Sequence, residues 1–430
     1  MRNLFRLAES KWLRQMTAVL LILSLVLPSL PVLLPPASVG YAAGNAPLSI
    51  KIDETLPGPA DAVIAPGAGS ASLMLPVSAG TVNLDQCANG PLSSPEEPCA
   101  WQNGNLNSNN SHYREGNSIP FQVAILVPSA GTHTIHINYD FTKGGPKAYD
   151  FLTTYTRTVT SSPCAGGGGG PYNCSGSLTT FPIPADPEVG DYQISGVFTV
   201  FGGTIITVTT PASSGGATTY DKDMLVTFSA SGSGDVVILW GGHLARANDW
   251  GPGMGASSIS GAPFHMSAQF FDGGGSSNQD RSIQPAAVLA PKVTVAKSCT
   301  AQVLQGGIIN VTVTVNNPGN EPEFIDLVDD PPVTFSGPSG DSNGNSQLDT
   351  NETWVYTGSY TAPLSGSSST DTVTVTASDV DANTATAMAS CTTALITPTP
   401  TRTATATATS TPTNTPTPTP TYTPTPTPTY

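Results

Sequence analysis

The stretch from Thr132 to Phe141 most narrows what this chain can fold into. Ile135, Ile137, Tyr139 and Phe141 alternate with His136, Asn138 and Asp140. In an extended backbone successive side chains point to opposite faces, so one face is apolar and the other polar. That is a strand with one face buried and one wet. Similar runs occupy Phe121–Val127, Tyr192–Phe201, Thr204–Thr209, Met224–Ala230, Asp235–Trp240 and Phe264–Phe271, separated by Gly, Pro, Asn and Ser clusters. Helical periodicity is nearly absent. The expectation is an all-β chain whose residues 44–282 form a large N-terminal β-sandwich head, since this many strands bury their apolar faces best as two packed sheets.

Residues 283–291, with Pro285 and Pro291 around small apolar residues, read as a short linker. Beyond it, residues 292–392 carry six or seven strand-like runs, the rhythm of a smaller immunoglobulin-like β-sandwich. From about residue 397 to 430 the chain is Thr-Pro repeat, and TPTPTPTY occurs twice in succession at Thr415–Tyr422 and Thr423–Tyr430. With no apolar pattern it cannot bury a core, so it reads as a disordered tail. Alternate prolines bias it toward extended polyproline II, which makes a stiff spacer or stalk.

The N-terminus sets the compartment. Arg2, Arg6, Lys11 and Arg14 precede an apolar run from Met16 to Leu34 and a Gly40-Tyr41-Ala42 cleavage pattern, so residues 1–42 read as a signal peptide. Pro28, Pro31, Pro35 and Pro36 argue against a spanning helix, and no membrane span is expected in the mature chain. The protein is therefore expected to be secreted, extracellular and associated with a cell surface. Its formal net charge of −15 repels nucleic acid, which is excluded as a partner.

Six cysteines in an exported chain point to disulfides, for which fifteen pairings exist. Spacing favours Cys87 with Cys99 and Cys164 with Cys174, leaving Cys299 and Cys391 to bracket the second domain. None forms a CxxC pair, which gives zinc or redox chemistry little support.

The acidic loop Asp341–Glu352 has the strongest chemical signature. Asp341, Asn343, Asn345, Gln347, Asp349 and Glu352 stand at positions 1, 3, 5, 7, 9 and 12, with apolar Leu348 at 8. This is the ligand spacing of an EF-hand calcium loop, Gln347 contributing its carbonyl, although Ser346 stands where such loops place glycine. Its flanks are β-patterned, so Ca2+ here is expected to brace a loop between strands.

The second domain resembles the conserved-repeat β-sandwich domains of bacterial cell-surface proteins, through Gly306-Gly307, Asn310-Val311-Thr312-Val313-Thr314-Val315-Asn316-Asn317-Pro318-Gly319, Asp326-Leu327-Val328-Asp329-Asp330-Pro331 and Glu352-Thr353-Trp354-Val355-Tyr356. The resemblance implies a structural or adhesive module. The head is similar to exported domains found beside such repeats, through Ser111-His112-Tyr113-Arg114-Glu115-Gly116, Asp140-Phe141-Thr142-Lys143-Gly144-Gly145 and Trp240-Gly241-Gly242-His243; no function attaches to that pattern.

Other constellations are weaker. His243 with Asp249, Ser257 and Ser258 can be written as a hydrolase triad, but there is no GxSxG elbow. Asp272, Asn278 and Asp280 cross a Gly-Ser turn. Trp101, Trp240 and Trp250 offer faces for a sugar, or pack in the core. The chain reads as a non-enzymatic surface protein whose head meets a cell-surface or extracellular ligand. The alternatives are a carbohydrate-binding protein that takes a glycan, and a secreted hydrolase.

Overall fold

The computed structural model describes residues 80–167, 172–398 and 413–426. The signal segment lies outside the described residues, as do the start of the head and residues 399–412 and 427–430 of the Thr-Pro segment.

The chain is all-β, built mostly of antiparallel sheets. The head contains β1 (Thr81–Ala88), β2 (Ala100–Gln102), β3 (Ser118–Val127), β4 (Gly131–Thr142), β5 (Tyr149–Thr153), β6 (Leu178–Pro182), β7 (Val197–Phe201), β8 (Gly203–Val208), β9 (Ala212–Gly215), β10 (Tyr220–Ala230), β11 (Gly234–Leu244), β12 (Phe264–Gln269) and β13 (Gln279–Ile283). A seven-stranded sheet runs β2-β1-β3-β11-β7-β6 with β5 also on β11, and a six-stranded sheet runs β13-β12-β4-β10-β8 with β9 also on β10.

The alternation of β4 is realised: Ile135, Ile137, Tyr139 and Phe141 are buried in one core with Phe121, Ile125, Val226, Phe228, Ile238 and Trp240. Strands β3 and β11 are instead buried on both faces. Their outer face is covered by Trp101, Cys87, Cys99 and Cys164, which form a second apolar cluster with Ala124, Val237 and Leu239. Buried on both sides, these strands read as continuous apolar runs.

Two readings of the chain change. The run Tyr192–Phe201 is only half strand: residues 190–192 form a 3-10 turn, and pairing begins at Val197, where β6 and β11 supply partners. Tyr192 and Ile194 have no strand beside them and stay exposed. The stretch 283–291, read as a linker, is packed into the head. Ile283 ends β13, Ala287, Val288, Leu289 and Ala290 are buried, and Leu289 exchanges backbone hydrogen bonds with Tyr113 and Glu115.

The second domain contains β14 (Thr294–Cys299), β15 (Gln302–Leu304), β16 (Ile308–Asn316), β17 (Phe324–Asp330), β18 (Ser336–Ser339), β19 (Thr353–Thr361), β20 (Ser368–Ser378) and β21 (Thr384–Ile396). Two four-stranded sheets, β14-β16-β19-β18 and β15-β21-β20-β17, enclose Val313, Val315, Trp354, Val373 and Val375. Strand β15 lies parallel to β21. The described tail residues, 413–426, form neither helix nor strand and are exposed. Among the described residues no helix is long and apolar enough to cross a membrane.

Candidate functional site

The acidic loop sits between β18 and β19, anchored by Leu348. That side chain is fully buried, its backbone exchanges hydrogen bonds with Glu323, and its carbonyl accepts from Asn317 Nδ2 at 2.9 Å. Asp341 accepts from the backbone amides of Gly344 (2.8 Å) and Ser346 (3.1 Å). Ser346 has φ 62°, the left-handed conformation that the sixth position of such a loop needs and that glycine adopts without strain. Asn343 and Asn345 both direct their amides at Asp349 Oδ2, at 2.6 and 3.2 Å. Their oxygens face the loop backbone, Asn343 Oδ1 accepting from the Asn345 amide at 3.0 Å and Asn345 Oδ1 from the Gln347 amide at 2.8 Å.

Glu352 is buried at the loop's end and accepts from Ser342 Oγ (2.6 Å), Ser342 N (2.8 Å) and Trp354 Nε1 (3.2 Å). The Ser342 hydrogen bonds hold its carboxyl below the usual range. The amide nitrogens of positions 3 and 5 thus meet the carboxylate of position 9, while the oxygens of positions 1, 3, 5 and 12 accept from the loop's own donors. Among the described residues no group of three or more His, Cys, Asp or Glu is gathered as for a metal. The oxygen-rich set suits a hard cation such as calcium, not zinc or copper.

The six cysteines are brought together as Cys87–Cys99, Cys164–Cys174 and Cys299–Cys391, with Cα separations of 5.6, 6.0 and 5.8 Å. The first two close loops over the outer face of the head. The third joins β14 to β21 across the second sandwich.

The hydrolase triad is not assembled as its spacing suggested. His243 Nδ1 meets Asp150 Oδ1 at 2.6 Å, so its carboxylate comes from β5 and not from Asp249, and Trp250 Nε1 holds the other oxygen of Asp150 at 2.9 Å. Ser257 donates its backbone amide to Glu115. Asp249 and Ser257 therefore have no hydrogen bond to His243 among the described residues. His133 and His136, three apart on one strand and so on opposite faces, take separate carboxylates, Asp272 and Asp223. Trp240 and Trp101 are buried, and Trp250 lies half-buried beneath Lys147, whose ammonium is 4.6 Å from its ring centre.

One feature was invisible in the sequence, a polar junction between the two sandwiches. The turn at 379–384, which links β20 to β21, docks on the head. Asn383 donates to the Glu115 carbonyl (2.9 Å) and accepts from Arg246 Nε (2.9 Å), Asn117 reaches Asp381 (3.0 Å), and Asn248 receives the Thr384 amide (3.2 Å). Beside it, Arg114 Nε meets Glu321 Oε2 at 2.6 Å. Glu115 accepts from the amides of Ala247 and Ser257, an approach that leaves no room for a Cβ at Gly255. A cleft of about 610 Å³ remains, edged by Asn248, Pro252, Lys292 and Thr386.

Burial pushes Glu321 up to about 7 despite Arg114, and Glu323 up to about 8 despite the Lys292 amide; Asp379 and Asp381 add to the former and Asp379 to the latter. A carboxyl raised above its unfolded value binds protons preferentially when folded. Its stabilising contribution is complete below the unfolded value near 4.5 and is lost as pH rises through 7 to 8. Amide hydrogen exchange in the 379–384 turn is therefore expected to quicken between about pH 5 and 8 beyond the intrinsic rise. Glu321→Gln with Glu323→Gln should flatten that excess. An unchanged excess in the double variant would assign it elsewhere.

The chain matches no protein-family profile and no curated protein. Among solved structures it is similar, at a low level, to red sea bream transglutaminase, with 9% identity and a TM-score of 0.20 over 67% of this chain. It spans only 30% of that enzyme. A second likeness is to a mutant of the CFA/I enterotoxigenic E. coli adhesin CfaE, with 8% identity and a TM-score of 0.17, covering 62% of this chain and 93% of the adhesin. Neither bears on activity.

Proposed function

We propose that the protein is a non-enzymatic, exported structural or adhesive element of a cell surface, with the head and second sandwich held as one stiff body and presented on the Thr-Pro spacer. The observation that carries this is the junction. The stretch 283–291 packed into the head core, an Arg114–Glu321 pair whose carboxyl group is buried and the docked Asn383 turn oppose hinge motion, unlike a free Pro-containing connection. Three disulfides fit an oxidising, extracellular setting.

Calcium is part of the reading. A cation beside Asp349 and the oxygens of Asn343 and Asn345, completed by Asp341, the Gln347 carbonyl and Glu352, would tie the loop to β19 and brace the module. Extracellular calcium is abundant, so even a weak site is filled; at 100 times its Kd a ligand adds about 2.7 kcal/mol.

Limited proteolysis of the mature chain tests both points. In calcium no cleavage is expected within residues 283–292 or 341–352. Chelation should open cleavage within 341–352 and lower Tm, and Asp341→Ala should give the chelated behaviour at any calcium level. Cleavage between residues 283 and 292 in calcium would sink the stiff-body reading. Indifference to calcium at millimolar concentration would sink the metal. Retention of the chain on a glycan array, lost with Trp250→Ala, would move the function to carbohydrate binding.

A further inference from the structure

At Val293, just before β14, and along the strand at Val295, Lys297 and Cys299, the positions face the core. A lysine thus occupies an interior register. Its side chain is 0% exposed and meets two carboxylates of the opposite sheet, Asp329 on β17 and Asp371 on β20, themselves 2% and 0% exposed. Lys297 Nζ is 2.5 Å from Asp371 Oδ1 and also in contact with Asp329 Oδ1. The second oxygens, Asp329 Oδ2 and Asp371 Oδ2, are buried without a hydrogen-bond partner among the described residues. Phe335 closes the site, its ring centre 5.9 Å from Nζ.

As an ion pair this arrangement is expensive. Three ionisable groups share a solvent-excluded core, and two carboxyl oxygens lack a hydrogen-bond partner among the described residues. An amine held against a carboxyl group without water is also poised to condense with it, because proximity replaces a bimolecular encounter and the dry site favours release of water.

We propose that Lys297 and Asp371 condense into an intramolecular amide cross-link, with Asp329 as the acid-base catalyst. One proton passes from the Lys297 ammonium to the Asp371 carboxylate, leaving an amine and a carboxylic acid. The amine lone pair attacks Asp371 Cγ while the Asp329 carboxyl protonates the carbonyl oxygen. The amine then gives its second proton to Asp329, the C–O bond breaks and one water leaves. Nζ–Cγ is the bond formed, Asp329 ends protonated as it began, and no oxidant or reductant takes part. Asp329 suits this role because burial raises its carboxyl above the usual range, against the opposing effect of Lys297 and with a further upward push from Asp371. That upward push favours the protonated form a general acid needs.

The placement has a mechanical corollary. Asp371 is the cross-strand partner of Cys391, and Lys297 lies two residues from Cys299. Disulfide and amide would therefore bridge the same two sheets side by side, where β21 passes into the tail. The chemistry stands without the surface reading; only this corollary depends on it.

Mass spectrometry of the reduced mature protein tests it. The wild-type chain is expected to be one water lighter than its sequence, and digestion should yield a branched peptide joining Lys297 to Asp371. Lys297→Arg and Asp371→Ala should restore the full mass. Asp329→Ala should restore it too, although both amide partners remain. In Asp371→Asn the loss should become one ammonia, a readout that does not depend on a destabilised variant. A wild-type chain of full mass overturns the proposal. A branch at Asp329 overturns the assignment of roles.

Discussion

Replacing Lys222 with alanine is expected to destabilise the head by about 3 to 5 kcal/mol, the cost of leaving a buried charge without its partner. The ammonium sits 2.9 Å from Asp186 Oδ2 and 2.7 Å from Glu188 Oε2, with its Nζ 4.5 Å from the Phe141 ring centre. Asp186 is as buried as Lys222, at 1% exposure against 3%, and besides Lys222 its carboxylate accepts from the Glu188 backbone amide. Glu188 is more open; burial would raise its carboxyl, but hydrogen bonds from Lys222 and Tyr220 outweigh this and lower it. Asp186 therefore bears most of the loss.

A fall in Tm of roughly 10 °C fits this size of domain, and it would appear in the head transition alone. Lys222→Met combined with Asp186→Leu should recover much of it, because removing both charges removes the desolvation cost as well. A fall below about 1 kcal/mol for the single variant would place the pair among solvated surface bridges.

The second large effect concerns the disulfide between β14 and β21. Cys299 and Cys391 are 92 residues apart. Cross-linking so long a loop removes unfolded-state entropy worth roughly 4 to 5 kcal/mol, against about 3 for the ten-residue separation of Cys164 and Cys174. Changing both Cys299 and Cys391 to serine should lower the melting of the second sandwich well before that of the head. The same change at Cys164 and Cys174 should act mainly on the outer cover of β3 and β11. Equal effects of the two double variants would show that local packing, not loop closure, sets their contribution. Any amide at Lys297 would temper the Cys299–Cys391 loss, since Asp371 lies beside Cys391 and already shortens the loop.

Much of this was legible from residue order. The period-two pattern of β4 placed Ile135, Ile137, Tyr139 and Phe141 on the buried face, and the all-β class followed. Leu348, the apolar eighth position of the acidic loop, is its anchor in the core. The double-sided burial of β3 and β11 was less legible, because it depends on a cover supplied by residues around Cys87, Cys99 and Cys164. The packed stretch 283–291 looked like a linker because prolines and small residues are common to linkers and to tight cores.

The same alternation held a signal that residue order alone does not interpret. Val293-x-Val295-x-Lys297, Ile325-x-Leu327-x-Asp329 and Asp371-x-Val373-x-Val375 each put an ionisable group in an apolar register. Sequence by itself determined that each of these three charges shares a strand face with apolar residues, since side-chain direction in a strand is fixed by local geometry. It did not determine that they meet. Strand order across two sheets arises from pairing between distant segments, so only the tertiary structure decided that β14 faces β17 and β20, that His243 finds Asp150, and that Asn383 reaches the head.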